Sequence, residues 1–342
     1  MTEHFWLGMA IIIASGGLNG SFPLPMKRAR QWRWDNTWLV FCLTSLLLLP
    51  WMLALGFVPQ LGALFREAPT RVILLPLIFG FLWGIAQATF GLSIKAVGMA
   101  FSFAVVAALG SLLGSLIPIL TSNPADLLRP RGLLLLASLP ILLLGLVLYS
   151  MAGGRREKEQ ATGAGPAEAP IMGFAAGLAI TIFTGVFGAN LNLGFHFGHD
   201  LVRRGLELGA NPATSTYPVW ALVLPAGVVP NVFYCVYLLC RNGTWSAFRT
   251  SGWAREGALA IAMALLWLGG MVCYGIGATL VGRYGTSVGF ALFNASILLA
   301  ANVGGILTGE WKSTSARTRR LLAIGMTAIV IAIVVLNLGG LF

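Results

Sequence analysis

The sequence predicts an all-α polytopic membrane protein: ten transmembrane helices arranged as two five-helix repeats of opposite orientation. Three observations carry that prediction. Of 342 residues, 57% are hydrophobic and 10% charged, with a mean hydropathy of +0.84; a water-soluble domain carries roughly 25% charged residues. The apolar residues gather into runs that meet the ~20-residue length needed to cross a ~30 Å hydrocarbon core. A weak internal repeat then relates the third run to the eighth.

In chain order, the ten runs cover about 5–24, 37–57, 72–92, 99–120, 132–152, 171–193, 215–239, 257–280, 287–308 and 320–341. The first lacks the basic n-region of a signal peptide. Its positive charges, Lys27, Arg28, Arg30 and Arg33, come after it, so it reads as a retained span. The stretch "GGRREKEQATGAGPAEAP" at 153–170 is the longest polar interval. Its Gly, Ala, Glu and Pro content suits a flexible linker between a first repeat (1–152) and a second (171–342).

The loops after the odd-numbered spans hold 15 Lys and Arg, counting Arg320 at the edge of the last span, against 7 after the even-numbered ones. Positive charge favours the cytoplasmic side, which puts the odd loops inside and both termini in the periplasm. A net charge of +11 in a soluble protein would point to nucleic acid. Here the basic residues lie between apolar runs and set orientation, so the bilayer is the partner and nucleic acid is not. Four cysteines without C-x-x-C spacing exclude a disulfide or zinc framework, and no motif asks for a cofactor.

Aligned at an offset of 184, Leu82-Trp83 falls on Leu266-Trp267, Phe90-Gly91 on Tyr274-Gly275, Gly98 on Gly282 and Ser102 on Thr286. A shift of five spans inverts the second copy, and inverted repeats with a midplane site are a recurrent transporter architecture. Trp83 and Gln87, four apart, share one helical face, and Phe90 lies on that face as well. A ring covering C–H faces beside an amide bonding hydroxyls is sugar-binding chemistry. Trp267 and Tyr274 supply a second aromatic wall, with packing or interfacial anchoring as the plainer alternative for the tryptophans. Asn190, Asn192 and Asn294 are further contacts, each equally suited to interhelical bonding. The G-x-x-x-G pair Gly80 and Gly84 reads as close helix packing.

No acidic residue falls at mid-span. The titratable cluster "HFGHD" (His196, His199, Asp200) at the outer end of span 6 is the candidate for proton coupling, with a solvated loop edge as the plainer reading. Glu3 and Glu310 are reserves, and no third ligand makes the cluster a metal site. Three histidines near the rim also exclude an intramembrane enzyme.

The pieces "PMKRARQWRWDNTW" (25–38), "LPW" (49–51), "FGFLWGIAQATFGLSIKAVGM" (79–99), the Trp267/Tyr274 frame and "GEW" (309–311) resemble the L-rhamnose–proton symporter family. That family is a ten-helix branch of the drug/metabolite transporter superfamily. The resemblance runs from span 1 to the loop before span 10. It implies secondary active uptake of a deoxy-sugar with a proton across a bacterial inner membrane. A proton-independent facilitator, or an exporter of another small polar metabolite, is the alternative.

Overall fold

The computed structural model describes residues 4–97, 99–122, 124–161, 173–307, 311 and 314–338. Among them the chain is all helix, without strands. In order come α1 (Phe5–Ser21), α2 (Trp34–Cys42), α3 (Leu49–Phe57), the short α4 (Leu61–Glu67), α5 (Thr70–Val97), α6 (Met99–Ser122) and α7 (Pro130–Ala161). They are followed by α8 (Phe174–Gly188), α9 (Asn190–Phe197), α10 (His199–Glu207), α11 (Tyr217–Asn242), α12 (Trp253–Val281), α13 (Val288–Leu307) and α14 (Ala316–Leu338).

Among the described residues, seven stretches are long and apolar enough to cross a membrane: Trp34–Phe57, Thr70–Ile94, Val105–Ser122, Gly132–Arg156, Ala175–Glu207, Tyr217–Asn242 and Trp253–Tyr284. Phe5–Ser21 and Val288–Ala300 are shorter apolar helices. Large apolar side chains such as Leu55 and Phe233 stand more than two-thirds exposed, as a surface solvated by lipid tails requires. Glu3 and Glu310 lie outside the described residues.

Two of these stretches are interrupted, each for a local reason. Between α2 and α3 the chain makes a π-helical turn, Leu43–Leu48. Pro50, at the second position of α3, cannot donate and crowds the preceding turn; one wider turn relieves the clash without ending the span. The α8–α9 junction falls at Ala189, where the Asn190 amide donates to the Phe187 carbonyl at 2.8 Å. A side chain that takes over a local backbone acceptor loosens the helix there. The stretch expected to be a linker begins as helix, since α7 continues to Ala161; its Arg, Glu and Lys residues are good helix formers.

Packing sorts the helices into two groups. α1 lies on α12 and α13, while α8 lies on α5 and α6. α2 and α11 touch each other, α2 also meeting α12 and α11 meeting α5. α7 and α14 pair along their length behind the rest. Close approach depends on glycine where α5 meets α11: a Cβ on Gly80 would stand 2.1 Å from the Val223 carbonyl oxygen, and one on Gly84 2.5 Å from that of Gly227. The G-x-x-x-G pair thus brings two backbones together and turns Trp83 across Gly227.

Candidate functional site

Where the two groups separate, a cavity of about 590 Å³ opens between α1, α2, α5, α11 and α12, with α7 and α13 at its edge. α5 contributes Trp83, Gln87 and Phe90, one face of a helix as the spacing requires. Trp267 comes from α12, and its ring stacks on Trp83 with centroids 5.9 Å apart and planes at 19°. Phe41 meets Trp267 edge-on at 6.1 Å.

α2 supplies a wall that the sequence did not announce. Trp34 and Trp38, one turn apart, stack at 5.1 Å and both line the cavity. The Trp38 indole N–H donates to the Asn231 side-chain oxygen at 3.3 Å. Asn231 in turn donates to the carbonyls of Gly227 at 2.9 Å and Gly84 at 3.3 Å. One buried amide thereby fixes the Trp38 ring plane against the α5–α11 seam. Asn19 lines the same cavity and donates to the Trp267 carbonyl at 3.1 Å.

Gln87 differs from these asparagines. Among the described residues its amide bonds to no protein group, and it is half-buried. It faces both the central cavity and a side chamber of about 200 Å³, shared with Trp83 and Phe90 and closed by Ser111, Thr184 and Asn294. An amide with no protein partner between aromatic walls has donors and an acceptor to offer a solute. The described walls of the central cavity carry no Asp, Glu or His. Arg156 lies at the edge, with its guanidinium 4.8 Å over the Trp311 ring. The lining suits a neutral, hydroxylated ligand with an apolar face.

The remaining expected residues fall elsewhere. Tyr274 and Asn192 are fully buried and line neither chamber: the Tyr274 hydroxyl donates to the Asn192 side-chain oxygen. The Asn192 amide nitrogen donates to the carbonyls of Gly114 at 2.7 Å and Thr286 at 2.6 Å. Asn190 spends its amide on Phe187. Asn294 lines the side chamber while also donating to the Phe290 carbonyl at 3.0 Å.

His196, His199 and Asp200 line a separate cavity of about 490 Å³ at the far end. His196 bridges two elements there, Nδ1 2.8 Å from the Thr286 hydroxyl and Nε2 3.0 Å from that of Ser122. His196 lies in the last turn of α9, and His199 and Asp200 open α10 with exposed side chains, Gly198 making the turn between the two helices. Aromatic rings seal this cavity from the central one: Phe195 stacks on Trp220 at 4.6 Å and Tyr274 on Phe293 at 4.8 Å.

Residues 1–341 match the family described as L-rhamnose-proton symport protein (RhaT). The chain belongs to that family. Among curated members of the RhaT family, it is 26% identical over 327 residues to the L-rhamnose-proton symporter of Mannheimia succiniciproducens, covering 93% of each chain. To the L-rhamnose-proton symporter of Cronobacter sakazakii it is 23% identical over 346 residues, covering 99% of each. RhaT-family membership makes the protein a transporter rather than an enzyme.

Proposed function

We propose that this protein imports L-rhamnose or a related small sugar together with a proton, by alternating access, across a bacterial inner membrane. The observation that carries the reading is the tryptophan-walled cavity, without a carboxylate among its described walls and closed at one end by stacked rings. Its volume lies within the ~300–1,000 Å³ usual for small-molecule sites. Trp83, Trp267 and Trp38 cover the C–H faces of the sugar, and Gln87 bonds its hydroxyls. Asn294 is reached through the side chamber.

The ten-span, 5 + 5 inverted-repeat reading, with its place in the drug/metabolite transporter superfamily, draws support from the contact pattern. α1 on α12 and α13 has its counterpart, five spans on, in α8 on α5 and α6. The α7–α14 and α2–α11 pairs map onto themselves under the same shift. Trp83 and Trp267, equivalent at the 184-residue offset, meet ring to ring, as residues beside a pseudo-two-fold axis do. With both termini periplasmic, the cavity mouth beside Arg156 faces the cytoplasm, and this is an inward-facing state.

Proton coupling is assigned to His196, His199 and Asp200, the titratable groups that line the cavity on the side from which the proton enters. Family membership favours symport over the facilitator or exporter alternative. Uptake of a radiolabelled sugar panel into proteoliposomes, with and without an imposed pH gradient, tests the assignment. Rhamnose accumulation driven by the gradient is expected. Uptake indifferent to it returns the facilitator reading. Replacing His196, His199 and Asp200 by Gln, Gln and Asn should abolish accumulation and spare counterflow exchange; accumulation that survives moves the coupling site elsewhere.

A further inference from the structure

An inward-facing carrier needs a seal on its outer side that can be made and broken each cycle. The seal here lies between the group α5, α6, α8 and α9 and the group α1, α12 and α13. Most of it is aromatic packing, which is non-directional and tolerates sliding. Its directional part is concentrated on one side chain. From α9, Asn192 reaches Gly114 within its own group. Across the divide it donates to the Thr286 carbonyl, at the turn before α13, and accepts from Tyr274 of α12. Every hydrogen-bonding position of the amide except one oxygen lone pair is filled, and Asn192 is 1% exposed.

Thr286 also joins the seal to the outer cavity. Its carbonyl holds Asn192 while its hydroxyl holds His196. Separating the helix groups at this end therefore breaks the amide's two crossing bonds and the His196 bond together.

The closed state also carries an opposing cost. The Trp220 indole N–H and the Thr216 hydroxyl, both packed against Gly275, are buried without a hydrogen-bond partner among the described residues. Buried donors left unpaired are costly, and water would satisfy both once the seal parts. The bonds that favour closure are thus opposed by orphaned groups that favour opening.

We propose that Asn192 is the lock of the outer gate, and that Tyr274 and Thr286 are the groups it engages. The inference rests on the carrier reading above. It assigns the three residues to gating the sugar's path rather than to binding the sugar.

The test uses the full-length protein with Cys42, Cys235, Cys240 and Cys273 replaced by alanine and Ser111→Cys as reporter. Ser111 lines the side chamber on the cytoplasmic side of the seal. A membrane-impermeant thiol reagent added outside reaches it only when the outer gate opens. Tyr274→Phe keeps the ring and its packing but strands the Asn192 oxygen in the closed state. Loss of one such bond should raise the labelling rate about tenfold. Asn192→Ala should raise it further where that variant folds. An unchanged or slower rate in Tyr274→Phe, with its melting temperature retained, overturns the lock. Rhamnose counterflow by the parent reporter protein separates the two claims. Without counterflow the carrier reading fails; with counterflow but no change in labelling, only the lock fails.

Discussion

Gln87→Met separates binding from folding more cleanly than any other change in the cavity. The thioether has nearly the length and volume of the amide, so the walls keep their packing. Among the described residues no protein group bonds to Gln87, so no partner is stranded by the change. Stability should then stay within about 0.5 kcal/mol of the parent. Binding should not. A neutral hydrogen bond contributes about 0.5–1.5 kcal/mol net, and the amide can bond two adjacent hydroxyls through its N–H and its oxygen. Losing both costs about 1–3 kcal/mol, or roughly 5- to 150-fold in Kd. Quenching of Trp83 and Trp267 fluorescence by L-rhamnose gives Kd in detergent, and thermal melting of the same sample gives stability. An unchanged Kd removes Gln87 from the site. A melting temperature that falls as if a buried tie had been cut shows that the amide was structural.

Gly84→Ala puts a methyl 2.5 Å from the Gly227 carbonyl oxygen and should destabilise by about 1–3 kcal/mol through overpacking. Gly17→Ala, with nothing within 4 Å, is the matched control and should not destabilise. The Glu159 carboxylate accepts from the Ser315 hydroxyl, the Ser315 backbone N–H and the Thr318 hydroxyl, and these bonds hold its pKa below the ordinary glutamate value. The stability it contributes is full above the ordinary value of about 4.3 and is lost as pH falls through the lowered native one. Melting curves taken down through that window should show Glu159→Gln losing its deficit relative to the parent; a constant gap contradicts the linkage. A reporter active only in the cytoplasm should stay dark when fused to either terminus, and signal at either end reverses the orientation.

The helices were legible because lipid imposes a length and an apolarity that composition alone reveals. The π-turn before Pro50 and the break at Ala189 were not. Each depends on how one side chain or ring competes with a particular backbone bond, and hydropathy does not register that. The four-residue spacing of Trp83 and Gln87 does put both on the cavity wall, whereas Tyr274, expected beside Trp267, lines neither chamber. Seven residues along α12 keep Trp267 and Tyr274 on one face but move about 10 Å along the axis. That carries Tyr274 out of the cavity and into the seal, because periodicity reports azimuth and not depth. Trp38 and Asn231 could not be paired from the sequence, since 193 positions separate them and only the packing of α2 on α11 brings them together. Trp34 and Trp38 at four-residue spacing did carry a signal, hidden by their place beside a basic loop where tryptophan also serves as an anchor.

The order of packing has a consequence for how the chain is made. α1 is made well before its chief partners, α12 and α13, and α7 must wait for α14. At the ~5–20 residues per second of synthesis, the first helix spends on the order of ten seconds or more in the bilayer before its permanent neighbours are translated. Through that interval the faces of Gly8 and Gly16, later covered by Gly277 and Ser296, are open to lipid and to any other helix with small residues. A chain stopped before α12 keeps those faces bare. Such a truncated product presents a small-residue surface that the finished carrier covers.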